Sequence, residues 1–278
     1  MSTSATKAKA QPALLDYAGR LWMRVFLALF FVVLYAPIAA MVAFSFNDSR
    51  RNIVWRGFTT KYYAKAAENE SLITAAANSL TIAVANMILG TLLGVIAAVL
   101  MWRFRFPFRA AYEGALAMPI VIPEICMGVA MLVFFNLWWP RDLPWPLNLG
   151  NIIIAHATFT FPFVALIVRA RLATINREME MAAMDLGAGE WQAMRDILLP
   201  QIKPAVIAGA LIAFTLSLDD FVITYFTAGP GSITLPVKIN SMVRFSVTPE
   251  VNAASTVLIV ITAVMVVLAM RAHQKAER

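Results

Sequence analysis

Three carboxylates stand in apolar surroundings, where an ionised group is expensive. Glu124 interrupts the run 114–139, and Asp219-Asp220 follows the apolar stretch that begins at Pro204. On membrane-insertion scales such an acid costs at least ~2.5 kcal/mol, so each is a functional candidate by default. Phe221 and Tyr225 follow the acid pair, and Trp138 and Trp139 close the earlier run. Carboxylates and aromatic faces are the groups that meet an organic cation, so this set has the chemistry of a cation path. For the two tryptophans an interfacial belt is the plainer reading. Other chemistries lack their parts. His156 and His273 lie far apart, no H-x-x-x-H or C-x-x-C pair occurs, and Cys126 is the only cysteine. That excludes a His/Cys metal or redox site and an intramolecular disulfide. Cys126 is expected to pack as a small hydrophobe, and His156 as a satisfied core histidine.

The elements that must position these residues follow from composition and run length. Of 278 residues, 60% are hydrophobic and 14% charged, with a mean hydropathy of +0.72. A soluble chain carries about 25% charged residues. A water-soluble fold and a disordered chain are excluded, leaving an all-α polytopic membrane protein. Six spans are expected, at about 25–46, 76–102, 114–139, 147–168, 204–226 and 251–270, between an N-terminal tail at 1–24 and a C-terminal tail at 271–278. The first is too long for the apolar core of a signal peptide, and no A-x-A site follows it. In the second, Gly90-Thr-Leu-Leu-Gly94 and Ala98 let a neighbouring helix approach closely. Thr248-Pro249-Glu250 reads as a helix start: a capping hydroxyl, proline in the first turn and an acid at the positive dipole end.

The net charge of +7 fits loops that are not translocated, since no basic run is interleaved with aromatics as a nucleic-acid surface would be. Fifteen of the 23 Lys and Arg fall in 1–24, 103–113, 169–203 and 271–278, which marks both termini as cytoplasmic. Arg50, Arg51, Arg56, Lys61 and Lys65 fall on the opposite side. In this arrangement Glu124 lies ~15 Å beyond Gly114, near mid-membrane, and Asp219 ~22 Å beyond Pro204, towards the outer half. Neighbours on a helix diverge by about 100°, so Asp219 and Asp220 are not expected to face one pathway together. Two plainer roles stay open. The acid pair could end the fifth helix or meet an arginine of a partner chain, and Glu124 could bond backbone freed by Pro119 and Pro123.

The segment 169–203 is too long for a helix-hairpin loop of about 2–8 residues. Met179, Ala183 and Leu186 recur in it at helical spacing. Gly187 suits the position just past a helix end, and a second short helix would run from about Glu190 to Leu199, before Pro200. Periodicity alone describes an amphipathic helix pair on the membrane surface. The residue identities say more. Glu180-Met-Ala-Ala-Met-Asp-Leu-Gly187, followed after nine residues by Ile197-Leu-Leu-Pro200, resembles the cytoplasmic loop signature of bacterial ABC importer permeases. That signature reads EAA, three residues, Gly, nine residues, I-x-L-P. Ala182, Ala183, Gly187, Ile197, Leu199 and Pro200 match in register, and Asp185 lies between them. Met181 stands at the glutamate position, so either an acidic contact is missing or Glu180 substitutes for it.

The resemblance implies a permease subunit in the bacterial inner membrane whose 169–203 loop docks as a coupling helix on a cytoplasmic ATPase. It implies a second permease, a different chain, with two ATPase subunits that carry ATP and Mg, and a periplasmic binding protein that delivers substrate. No G-x-x-x-x-G-K-[ST] phosphate loop occurs here, so this chain is expected to hold no cofactor and to be no enzyme. The strings Met118-Pro-Ile-Val-Ile-Pro-Glu124, Ala155-His-Ala-Thr-Phe159, Ala213-Phe-Thr-Leu-Ser-Leu-Asp-Asp-Phe-Val222 and Gly229-Pro-Gly-Ser-Ile-Thr-Leu-Pro236 look like the spermidine/putrescine branch. A polyamine is a flexible dication or trication, the kind of solute that Glu124, Asp219, Asp220, Phe221 and Tyr225 suit. The alternatives are an importer for another solute, such as ferric iron, thiamine or an organophosphonate, and an ion-coupled secondary transporter with Glu124 or Asp219 as carrier. A membrane-embedded enzyme would need a catalytic constellation that these scattered acids do not form.

Overall fold

The computed structural model describes residues 21–49, 54–138, 147–245 and 248–277. They form twelve α-helices: α1 (Leu21–Ser45), α2 (Lys61–Glu68), α3 (Glu70–Arg103), α4 (Arg109–Val121), α5 (Glu124–Trp138), α6 (Leu147–Leu172), α7 (Glu178–Asp185), α8 (Glu190–Ala193), α9 (Leu199–Leu218), α10 (Val222–Thr227), α11 (Leu235–Phe245) and α12 (Pro249–Glu277). Five helical stretches are long and apolar enough to cross a membrane, or six if the bent pair α4–α5 counts as one span. Trp139 and the arginines Arg50 and Arg51 lie outside the described residues.

Two expected spans are broken. Instead of one helix over 114–139, α4 and α5 meet at 108°. Proline disfavours helical backbone in the residue before it, and Ile122, ahead of Pro123, is extended at φ −69°, ψ 132°. The mid-membrane depth counted for Glu124 along a straight helix therefore does not hold; Glu124 opens a new helix in a new direction. The span expected at 204–226 also stops, at Leu218, and the chain restarts as α10 after three intervening residues. Asp219 and Asp220 sit in that break, so the divergence of helical neighbours does not describe them.

At its other end α9 starts earlier than expected. The second loop helix does not stop before Pro200 but continues into α9 through a π-turn at Met194–Leu198, making a helical rod from Glu190 to Leu218. Pro200 has no N–H to give its own turn. The wider π register absorbs this, with the Leu199 N–H reaching back five residues to the Met194 carbonyl.

The core lies where α3, α6 and α9 cross, around Ala98, Val164, Val168, Leu198 and Ile202. Val164 is wedged between two glycines: a Cβ on Gly94 would fall 2.6 Å from the Val164 Cβ, and one on Gly209 2.9 Å from its Cγ1. The small-residue stripe of the second span is thus a helix-crossing surface. Asn86, fully buried, ties the three helices by accepting the Thr160 hydroxyl at 3.0 Å and donating to the Ala213 carbonyl at 2.9 Å. Around this core α12 packs on α9, and α1 packs on α12 while exposing Phe26, Phe30 and Val33. The start of α12 differs from the expected cap. The Thr248 hydroxyl makes no hydrogen bond among the described residues, and the Glu250 carboxylate accepts from the Asn69 amide at 2.8 Å.

Candidate functional site

The two helix breaks come together because α5 packs on α10. The crossing is close at Gly128, where a Cβ would meet the Phe226 ring at 2.8 Å and the Ile223 Cα at 3.5 Å. Glu124, in the first turn of α5, and Asp219, just past the end of α9, are both exposed and lie within electrostatic reach of each other. Asp219 stands at the negative end of the α9 dipole, where a carboxylate is disfavoured and a cation favoured. Phe221, two residues on from Asp219, and Tyr225 pair at 5.6 Å between ring centroids, with Tyr225 53% exposed. Exposed carboxylates and aromatic faces are the groups that can hold an organic cation.

Asp220 is not part of that surface. It is buried and accepts both the backbone N–H of Thr224 at 2.8 Å and its hydroxyl at 2.9 Å, with His156 Nε2 3.2 Å away. The expected pathway set therefore splits: Glu124 and Asp219 stay exposed at the two breaks, Phe221 and Tyr225 pair just after Asp219 in the chain, and Asp220 turns inward to His156. The histidine is a satisfied core residue, as its setting in an apolar span suggests. Cys126, expected to pack, is exposed on α5. Trp138 ends α5, far along the helix from the break.

The second candidate is the elbow between α6 and α9. Gly187, at φ +92°, ends α7 in the left-handed conformation that glycine adopts without strain. Its N–H bonds the Met184 carbonyl at 2.9 Å, and the Ala188 N–H bonds that of Ala183 at 3.0 Å, which is a Schellman ending. Glu180 is drawn inward: Arg103 at the end of α3 binds it at 2.5 Å. It does not stand in for the absent glutamate as an outward acid, and Met181, 51% exposed, occupies that outer position. Met179, Leu186 and Trp191 are also exposed, so two of the three periodic residues, Met179 and Leu186, face outward rather than into the protein. Ala182, Asp185, Leu199 and Pro200 are exposed, Ala183 and Ile197 are half-buried, and Leu198 joins the core. Arg177 stacks on Trp102 at 4.3 Å and donates to its carbonyl, a second tie from the elbow to α3. Arg103 and Arg177 were not legible as partners, since nothing in their spacing marks them; the one available signal is that Arg103 is the first charge after a long apolar run.

Residues 90–278, which include both breaks and the whole elbow, match the family described as the binding-protein-dependent transport system inner membrane component. The chain belongs to this family. Among relatives of the permease, the spermidine/putrescine transport system permease protein PotC of Escherichia coli (strain K12) is 42% identical over 249 residues, covering 90% of this chain and 92% of PotC. The putrescine transport system permease protein PotI of the same strain is 40% identical over 241 residues, covering 86% and 85%. In fold the permease resembles a chain from the crystal structure of a bacterial ABC transporter that imports the acidic polysaccharide alginate. The TM-score is 0.71 at 18% identity, over 91% of this chain and 94% of that one. The permease is a transport protein, not an enzyme.

Proposed function

We propose that this permease is a membrane subunit of an ATP-driven ABC importer for putrescine and spermidine, forming the pathway with a second, different permease. Its kinship with PotC and PotI is the observation that carries the solute class, and the exposed Glu124 and Asp219 beside Phe221 and Tyr225 supply a chemistry to match. The ammonium groups of a polyamine meet the two carboxylates, and its chain lies against the rings. A periplasmic binding protein delivers the solute, so the site here needs only weak, transient affinity.

ATP and Mg belong to two ATPase subunits on the cytoplasmic side. The segment 169–203 is the coupling loop, both termini are cytoplasmic, and the bulk of the chain, 25–270, is one permease domain. The outward face of Met179, Met181 and Leu186 seats in a cleft of the ATPase. Closure of the ATPases pushes the elbow, and the rod from Glu190 to Leu218 carries that tilt directly to the break at Asp219. Hydrolysis resets the complex.

The test is ATP hydrolysis by the complete complex in nanodiscs, titrated with its binding protein. Stimulation by the polyamine-loaded binding protein, above that of the empty one, is expected. Equal stimulation by loaded and empty forms would discard the polyamine and leave an importer for another solute.

A further inference from the structure

The geometry points to a division of labour within Asp219-Asp220: His156 and Asp220 form a buried latch that holds the α9–α10 break in shape and so keeps Asp219 on its open side. This rests on the proposed reading of Asp219 as a cation-facing group.

His156, on α6, is 1% exposed and uses both ring nitrogens. Nδ1 lies 2.7 Å from the Ser217 hydroxyl on α9, and Nε2 lies 2.9 Å from the Thr224 hydroxyl on α10 and 3.2 Å from Asp220 Oδ1. Thr224 sends its N–H and its hydroxyl to that same oxygen. Three helices and the break between two of them therefore close around one carboxylate oxygen. A neutral imidazole satisfies the set, with Nε2–H donating towards Asp220 and Nδ1 accepting from Ser217. Every donor converges on Oδ1, so an amide oxygen at this position makes the same bonds. What the latch needs from residue 220 is shape, not charge. The next residue back has the opposite requirement. Asp219 is exposed, its backbone N–H donates to the Thr215 carbonyl at 3.3 Å, and its value to a passing cation is its charge. His156 and Asp220 are thus positioning residues that act through Asp219.

The experiment measures polyamine uptake per ATP hydrolysed by the complete complex in proteoliposomes, at saturating loaded binding protein. A lesion that only reduces the amount of assembled complex lowers both rates and leaves their ratio alone. Asp219→Asn is expected to lower the ratio about tenfold, the worth of one charge-assisted hydrogen bond. Asp220→Asn is expected to keep the ratio within about twofold of the parent, since no bond around Oδ1 is lost. His156→Leu is expected to lower the ratio as Asp219→Asn does, and the double variant His156→Leu/Asp219→Asn to fall no further than Asp219→Asn alone. If His156→Leu fails to assemble, Ser217→Ala, which removes one bond to the ring, takes its position in the cycle. An Asp220→Asn variant as impaired as Asp219→Asn, or effects of His156 and Asp219 that multiply, would overturn the latch and leave the pathway reading intact. A silent Asp219→Asn would overturn both.

Discussion

Arg103, in the last turn of α3, holds Glu180, in the first turn of α7, at 2.5 Å and reaches Glu190 of α8 at 3.6 Å. One guanidinium thereby ties both arms of the elbow to the end of the second span. The Glu180 side chain is 11% exposed, so loss of the arginine leaves a largely desolvated carboxylate, at about 1–3 kcal/mol. Arg103→Leu is expected to loosen the elbow, so that ATP hydrolysis continues while uptake falls. The charge exchange Arg103→Glu/Glu180→Arg should recover part of the uptake. Parallel assays of hydrolysis and uptake check this, and an unchanged ratio in Arg103→Leu would contradict it.

Gly187 separates two kinds of substitution. Its φ of +92° is left-handed, a region in which asparagine is the side chain best tolerated at helix ends, but proline is locked near about −65° and has no N–H for the Met184 carbonyl. Gly187→Asn should therefore keep most uptake, and Gly187→Pro should abolish it while the chain still inserts. Membrane fractionation beside uptake reads both. Ala183→Asp, on the same elbow, should likewise lose ATPase recruitment without losing insertion.

The crossing of α3 and α6 leaves no room at residue 94. Gly94→Val would drive its side chain into Val164 and the Phe161 carbonyl, at a cost of about 1–3 kcal/mol or more. Thermal unfolding in detergent should show a lower midpoint for Gly94→Val than for Gly114→Val, where an added Cβ meets nothing within 4 Å.

Asn86 should behave as a buried tie. Asn86→Leu leaves the Thr160 hydroxyl unpaired, costing about 1–3 kcal/mol. Combining it with Thr160→Val should restore part of the unfolding midpoint, because the orphaned hydroxyl is then gone.

The spans were legible where apolar length was the whole signal. Helices α3, α6 and α12 contain the apolar runs 76–102, 147–168 and 251–270, and α1 all but the last residue of 25–46; most of their ends run further, because hydropathy stops at the first charge while hydrogen bonding does not. The breaks were not legible, since Pro123 and Asp219-Asp220 leave hydropathy high on both sides. A proline marks a bend without giving its angle, and two adjacent acids do not say which turns inward. The helix end at Gly187 was legible, as glycine is the residue that takes a positive φ past a helix terminus without strain. The inward turn of Glu180 was hidden, because its partner Arg103 is distant in sequence and helical spacing describes one helix only.

Uptake of labelled putrescine and spermidine into proteoliposomes tests the central claim most directly. The vesicles would carry this chain, its second permease, the ATPase subunits and the binding protein, with and without ATP on the ATPase side. Uptake that requires both ATP and the binding protein is the predicted result. Uptake that proceeds without ATP would contradict the account.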